Sequence, residues 1–287
     1  MAFRKTCAGG KVFDVFNYVF LGLLAVSMTA PLVYVFLGSI SKTGMIGGFT
    51  SFSLDSYRFV FTTNILARSA FNSVFITLVG TALNISVTAM TAYVLSKKQL
   101  HGRKFFLGTV VVFMLFNPGM IPNFLLVDAL RLTNTYWSLW LPTLISAFNL
   151  IVMKNFYMGL PESIDESAKM DGCNDLQVFL RIALPLSKSS LATFSLFYAV
   201  SHWNNYFHAL LYIRDAGMWP VQMWLRQIVI LSLGGFSNNE NLSEFASVPP
   251  ESVKYTVIII STIPIVLVYP FLQRYFAKGV LLGSVKG

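Results

Sequence analysis

Hydrophobic positions along this chain form long uninterrupted runs. Cutting the sequence at its charged residues leaves six uncharged stretches of 19 to 28 residues each. They are 15–41, 69–96, 105–127, 132–153, 189–213 and 255–273. About 20 helical residues, rising 1.5 Å each, cross the roughly 30 Å of hydrocarbon in a bilayer, so each stretch is long enough to span it. The pattern predicts an all-α integral membrane protein with six transmembrane helices.

The third run carries a helix-breaking sequence near its far end. Residues 117–122 read Asn-Pro-Gly-Met-Ile-Pro. Proline removes a helical hydrogen bond and clashes with the preceding turn, so we expect a break or kink there. The third is therefore expected to be the least regular of the six helices.

Composition excludes several classes of protein. Charged residues make up 11% of the 287 residues, against about 25% in a typical soluble domain, and hydrophobic residues make up 55%. This chain has too few charged residues to cover the surface of a soluble fold of this size. A basic nucleic-acid-binding domain is excluded for the same reason. The two cysteines, Cys7 and Cys173, and the three scattered histidines predict neither a disulfide framework nor a metal site.

The distribution of lysine and arginine predicts the orientation. With the N-terminus in the cytoplasm, 14 of the 21 basic residues fall inside and 7 outside. Both termini and the segment 154–188 are then cytoplasmic, and the segment 214–254 is external. The first run, at 27 residues, exceeds the 7 to 15 of a cleaved signal sequence, so we expect it to be retained.

The segment 154–188 reads as two short helices. Pro161 suits a first helical position, acidic residues follow it, and Gly172 suits a left-handed cap. Ile164 and Ala168 share one face, whereas Asp165 is placed to pair with Lys169. A capping box from Asn174 to Gln177 begins a second helix, which Pro185 is expected to limit. Both a solvated connector and a docking element fit this pattern.

The same segment resembles the EAA motif of bacterial ABC importer permeases. Glu166-Ser167-Ala168 is followed after three residues by Gly172, and after nine more by Ile182-Ala183-Leu184-Pro185. Only Ser167 departs from the motif, where it replaces an alanine. The stretches 120–122, 203–207 and 273–279 are similar to the second permease subunit of carbohydrate transporters of the maltose type. The tail 283–287 is similar to the oligosaccharide branch of that family.

The resemblance implies one transmembrane permease domain, 1–287, in a bacterial inner membrane. This domain would line half of a pore whose other half is a second, homologous permease. A cytoplasmic ABC ATPase dimer would bind ATP and magnesium, and an external binding protein would deliver the carbohydrate. The chain itself has no Walker A loop, so no catalytic residue and no cofactor is expected on it. Membrane lipid is expected to surround the remaining surface of its spans.

The motif residues are implied to couple the permease to the ATPase. Residues 162–172 would form a coupling helix, with Glu166 pairing with a basic group of the ATPase. The positions that carry this role are Glu166, Ser167, Ala168, Asp171, Gly172, Ile182, Leu184 and Pro185.

A polar cluster near the outer end of the fifth run provides candidates for the substrate path. It comprises His202, Trp203, Asn204, Asn205 and Tyr206. Sugars present hydroxyl groups and apolar ring faces, so amides beside aromatic rings suit them. Trp203 and Tyr206, three residues apart, are expected on one helix face. Interhelical hydrogen bonding and an interfacial aromatic belt also fit these residue types, and interhelical bonding is the commoner use of such residues in membranes.

The external segment has an apolar first part and a polar second part. Residues 218–231 are expected to lie along the membrane surface, and residues 232–252 either meet the binding protein or form a plain surface loop. Two other classes are weaker matches. A secondary transporter should show repeated broken helices and a charged midplane site, and a membrane enzyme should show clustered catalytic groups.

Overall fold

The computed structural model describes residues 8–42, 44–45, 51–116, 118–232 and 250–284, and this part of the chain is helical. Its one β-type pairing is a single antiparallel bridge between Ser41 and Phe52. The α-helices are α1 Ala8–Ser39, α2 Asp55–Thr62, α3 Asn64–Ser96, α4 Arg103–Leu115, α5 Met120–Ala129, α6 Trp137–Trp140, α7 Ala147–Met158, α8 Glu162–Met170, α9 Asp175–Val178, α10 Leu184–Leu186, α11 Lys188–Trp203, α12 Tyr206–Tyr212, α13 Val221–Ser232 and α14 Pro250–Ser284. A 3-10 turn follows α6 at Leu141–Thr143, another lies at Ala216–Met218, and a π-helix at Phe179–Ala183 joins α9 to α10.

Three of the predicted runs form helices long and apolar enough to cross a membrane. They correspond to the first, second and sixth runs, at Phe13–Ser39, Asn64–Ser96 and Glu251–Val268. The first is covered by exposed apolar side chains along almost its whole length, which is how a helix surrounded by lipid looks.

The third run is broken, as predicted. α4 and α5 meet at an angle of 118°. Pro118 lies in the break, and Gly119 adopts a φ of 85°, a left-handed conformation that favours glycine. At 1.5 Å per residue the 13 residues of α4 cover only about 20 Å, so α4 alone does not reach across the hydrocarbon.

The fourth and fifth runs are interrupted as well. The fourth bends by 55° between Trp137–Thr143 and Ala147–Met158, where the Ser146 side chain caps α7 by accepting a hydrogen bond from Asn149 N. The fifth stops at Trp203 and restarts at Tyr206, where the Asn205 side chain caps α12. Serine and asparagine offer the backbone alternative hydrogen bonds, which end a helix without any charge.

By length and composition, the described residues therefore contain three spanning helices, or five if each bent pair counts as one span. The two pieces of the fifth run, α11 and α12, are not among these spans. The number of six spans stays a prediction.

The chain divides into two compact units, one of residues 1–63 and 227–262, the other of residues 64–226 and 263–287. In the first, the end of α1 packs on the start of α14: Thr256 Oγ1 donates to Ser39 O over 3.3 Å, and the Tyr34 and Tyr255 rings meet edge to face at 5.9 Å. Gly38 makes room for Tyr255, because a Cβ there would lie 2.5 Å from the ring.

The second unit is organised around α3. This helix packs mainly against α7 and α11. Its small residues Ala89 and Ala92 are buried against a cluster that includes Met153, Tyr157 and Phe194. Small side chains let helices approach closely in a membrane, where lipid offers no hydrophobic drive for association.

The apolar start of the external segment is not a surface-lying stretch. It folds as α13, whose Val221, Met223 and Trp224 are each less than 4% exposed. Burial of this face inside the protein explains its apolar character. Most of the polar part, residues 233–249, lies outside the described residues.

Candidate functional site

Helix α8 is built as the sequence suggests, with a small shift at its start. Pro161 is the residue before the first turn rather than within it, with φ −60° and ψ 130°, and the helix begins at Glu162. The extended ψ follows because Pro161 leads into the helix without yet being part of it. Glu162 and Asp165 lie in the first turn, where carboxylates interact favourably with the helix dipole.

The turn at the end of α8 is a Schellman motif. Gly172 adopts a φ of 83°, confirming the left-handed cap. Its N–H donates to Lys169 O, and the N–H of Cys173 donates to Ala168 O, each over 3.0 Å. A Cβ at Gly172 would meet no atom within 4 Å, so the demand for glycine comes from the backbone conformation and not from crowding.

The second helix begins as predicted and ends later. Asn174 and Gln177 form the full capping box, with bonds of 2.8 and 2.9 Å. The chain then continues through the π-helix into α10, so Pro185 lies inside the helical stretch instead of limiting it. The wider π turn moves the carbonyl groups that the proline ring would otherwise meet, which explains how the helical path continues.

The motif residues are brought together on one side of the segment. Ser167, Ala168, Asp171 and Ile182 line one shallow concavity with Ser163, Ile164 and Cys173. Ala168 is buried and Ile164 partly buried, as their shared face predicted. Glu166 points elsewhere: it is exposed and forms no ion pair with any residue that the structure describes. Leu184 and Pro185 lie further on, in α10.

The acidic side chains of α8 that do pair are held by the end of α3. Lys97 Nζ bonds the Asp165 carboxylate, and Lys98 Nζ donates to Glu162 Oε1 over 2.7 Å. The expected Asp165–Lys169 pair does not form. Lys169 instead bonds Asp175 Oδ1 at 2.9 Å, because Asp165 faces α3.

These pairs shift the ionisation of their members. Partial burial of Lys97 lowers its pKa, but hydrogen bonds from Lys97 to Asp165 and Tyr93 outweigh that effect and raise it overall. The hydrogen bond from Lys98 holds the pKa of Glu162 below its usual value. The raised pKa of Lys97 and the lowered pKa of Glu162 each favour the charged form of that side chain.

The polar end of the fifth run takes part in helix packing, which is the commoner use of such residues. His202 is 5% exposed, and its Nε2 lies 2.9 Å from Asn84 Oδ1 on α3. Asn84 Nδ2 in turn donates to Thr143 O over 2.6 Å, at the bend of the fourth run. His202 thus takes the role of an interhelical hydrogen-bonding group, the alternative that the residue type left open.

Trp203 and Tyr206 do not share a helix face. Trp203 ends α11 and is 8% exposed, whereas Tyr206 begins α12 and is 42% exposed. Asn204 is also exposed, and Asn205 is used as the cap of α12. The break between the two helices is the physical reason that the expected three-residue spacing fails.

Sequence reasoning missed the partners of this cluster on other helices. Thr88 Oγ1 lies 2.9 Å from Tyr198 OH, and that hydroxyl accepts from Ser146 N over 3.2 Å. Buried Asn84 and Thr88 were the available signal, since polar groups inside a membrane protein need hydrogen-bonding partners.

The profile of one protein family, described as the binding-protein-dependent transport system inner membrane component, matches residues 101–282. The chain belongs to this family. The matched region contains the α8 segment and both bends described above. The protein is therefore a multi-pass membrane component, the permease, of a binding-protein-dependent ABC importer. The alternative of a secondary transporter is not supported.

Two relatives from Bacillus subtilis (strain 168) match nearly the whole chain. The polygalacturonan/rhamnogalacturonan transport system permease protein YtcP is 47% identical over 96% of this chain and 99% of its own length. Protein LplC is 49% identical over 97% of this chain and 96% of its own length.

A solved structure has the same fold. It is a chain of a bacterial ABC transporter involved in the import of the acidic polysaccharide alginate. The likeness covers 95% of this chain and 99% of that one, with a TM-score of 0.87 and 31% identity.

Proposed function

We propose that the chain lines half of the pore of an importer for oligosaccharides that contain uronic acids. In this proposal it is a single domain, 1–287, with six spans, both termini and segment 154–188 in the cytoplasm, and segment 214–254 outside. A second permease completes the pore, a cytoplasmic ATPase dimer carries ATP and magnesium, and an external binding protein delivers the sugar. Residues 162–172 are the coupling helix.

The geometry of α8 carries the coupling role. A plain solvated connector has no need of a capped short helix with one face anchored and the other free. Here Ala168 is buried, Asp165 and Glu162 are held by α3, and Glu166 is exposed without an ion pair in the described part of the chain. An anchored helix with a free carboxylate is suited to fill a pocket on a partner and to fix its orientation through one charge pair.

The substrate class is supported by the relatives. YtcP is named for polygalacturonan and rhamnogalacturonan, and the structural neighbour for alginate. Polygalacturonan and alginate are polymers of uronic acids, and rhamnogalacturonan contains them. The resemblance across more than nine-tenths of this chain extends that class to the present protein.

Within the proposed path, Asn204 and Tyr206 are the exposed side chains at the break in the fifth run. His202, Trp203 and Asn205 hold the break in shape: His202 bonds Asn84, Trp203 is buried, and Asn205 caps α12. The candidate cluster therefore divides into contact residues and supporting residues.

The test is reconstitution of the whole transporter in proteoliposomes. Its ATPase activity is measured with the binding protein loaded with oligogalacturonides, with alginate oligomers, or with neutral maltooligosaccharides of the same length. We expect stimulation by one of the two acidic series and none by the neutral one. Stimulation by the neutral series alone would contradict the acidic substrate class, and its absence in all three would contradict oligosaccharide import.

A further inference from the structure

Helix α8 is held to the rest of the protein by side-chain contacts as well as by its chain connections to α7 and α9. Within the described residues, its polar side-chain contacts outside the segment 154–188 all go to the last turn of α3 and the two lysines that follow it. Lys97 bonds Asp165, Lys98 bonds Glu162, and the Tyr93 hydroxyl lies 3.5 Å from Asp165 Oδ1.

The two ion pairs differ in how firmly they are held. The side chains of Lys98 and Glu162 are 69% and 72% exposed, so water screens that pair and leaves it mobile. The side chains of Lys97 and Asp165 are each 32% exposed. Lys97 also lies over the Tyr93 ring, with Nζ 4.3 Å from its centroid. The Lys97–Asp165 pair is therefore the stronger mechanical link.

Tyr93 ties this link to the packed core. Its ring meets Tyr157 of α7 edge to face at 5.7 Å and lies 5.1 Å from the ring of Phe179 in the π-helix. Tyr93 itself is 6% exposed. A displacement of α8 thus reaches a buried aromatic group shared by α3, α7 and the π-helix.

Helix α3 carries that displacement into the membrane. About two and a half turns before Tyr93 the same helix holds Asn84, which bonds both His202 of α11 and Thr143 at the bend of the fourth run. One helix therefore connects the coupling segment with the breaks in the fourth and fifth runs. Closely packed helices transmit such shifts because their interfaces deform little.

We propose that Lys97 and Asp165 are positioning residues for energy coupling: their ion pair makes α3 follow the movement of α8. The proposal rests on the proposed coupling role of residues 162–172. Asp165 and Glu166 then have separate tasks. Glu166 engages the ATPase, and Asp165 passes the resulting movement to the transmembrane helices.

The test uses the reconstituted transporter with its ATPase and sugar-loaded binding protein. Asp165→Asn and Lys97→Gln remove one charge each with little change in shape. We expect each to lower the ratio of transported sugar to ATP hydrolysed by roughly threefold or more, as for loss of a partly buried charged hydrogen bond. The ATPase should still co-purify with each variant, which shows that the complex assembles.

Charge exchange separates coupling from plain structural support. In Lys97→Asp combined with Asp165→Lys the attraction is restored with its direction reversed, so the ratio should return to within about twofold of wild type. The matched control is the exposed Lys169–Asp175 pair, with side chains 53% and 76% exposed. Asp175→Asn removes this pair from a position outside residues 162–172 that does not touch α3, and should leave the ratio unchanged.

A further variant distinguishes failure of this inference from failure of the proposed function. Glu166→Lys should release the ATPase from the purified complex. If it instead binds and stimulates the ATPase normally, the coupling role of 162–172 is wrong. If Glu166→Lys behaves as expected while Asp165→Asn and Lys97→Gln keep the wild-type ratio, the positioning role is overturned. Failure of the exchanged pair to restore the ratio, or an equal loss in the Asp175→Asn control, would overturn it as well.

Discussion

At the scale of single residues, neighbouring side chains in this permease have opposite surroundings. Trp203 is 8% exposed and Tyr206 42% exposed, although three positions separate them. Between them Asn204 ends one helix and Asn205 caps the next. A buried tryptophan supports the fold, whereas an exposed tyrosine in a polar break is free to meet a passing sugar.

Replacing each aromatic residue by alanine should separate these two roles. We expect Trp203→Ala to destabilise the protein by about 3–5 kcal/mol and to lower its Tm, because a large buried side chain leaves a cavity. Tyr206→Ala should leave the Tm near wild type and reduce sugar uptake in proteoliposomes. The control is Phe207→Ala, on the same helix and 44% exposed, which should change neither quantity. Wild-type uptake by Tyr206→Ala would remove this residue from the substrate path.

At the scale of elements, α3 supplies the hydrogen bonds that broken helices lack. Thr143 O at the bend of the fourth run accepts from Asn84, and Ser146 N, three residues on, donates to Tyr198, which itself contacts Thr88 of α3. Backbone groups freed by a helix break are costly inside a membrane unless another group satisfies them. The breaks and the polar positions of α3 are therefore one structural feature.

Gly80→Ala tests this arrangement with a single methyl group. A Cβ at Gly80 would lie 2.6 Å from His202 Nε2, so the imidazole must move away from Asn84. We expect a loss of about 1–3 kcal/mol, measured as a lower Tm of the purified complex. Gly108→Ala is the control, because a Cβ there meets nothing within 4 Å.

A double variant tests whether the loss of stability in Gly80→Ala comes from contact with His202. Gly80→Ala combined with His202→Ala should be less destabilised than the sum of the two single changes, since the shortened side chain no longer meets the methyl group. If the two losses of stability were strictly additive, the added methyl group at Gly80 would not be in contact with the His202 side chain.

The sequence predicted elements well where their cause is local. The break at 117–122, the left-handed Gly172 and the Asn174 capping box follow from residue types whose backbone preferences act over a few positions. The bend near Ser146 and the partner of Asp165 do not, because they depend on which helices meet. Lys97 is 68 positions from Asp165 in the chain, whereas the expected partner Lys169 was only four away.

At the scale of the whole molecule, the proposed orientation in the membrane rests on charge. The basic residues in the cluster from Lys97 to Lys104 and in the segment 154–188 predict that both regions are cytoplasmic. The ion pairs between these two regions require them to lie on the same side of the membrane, as they do in the proposed orientation, and do not by themselves distinguish the two sides.

Labelling of single cysteines tests that orientation. Cys7 and Cys173 are first replaced by serine, and Leu176→Cys or Arg214→Cys is introduced, both at exposed positions. A membrane-impermeant maleimide added to right-side-out vesicles should label position 214 and not 176, and inverted vesicles should give the reverse. Labelling of position 176 from outside would invert the proposed topology.

The long-range contacts of α3 also determine when this helix can complete its hydrogen bonds during synthesis of the chain. Asn84 and His202 are 118 residues apart in the chain. At about 5–20 residues synthesised per second, α3 waits roughly 6–24 s before its partner helix leaves the ribosome. During that interval its buried amide and hydroxyl groups lack their final partners. Assembly of the hydrophobic core is therefore a late step, and a nascent chain that stops before α11 leaves the buried Asn84 and Thr88 of α3 without these partners.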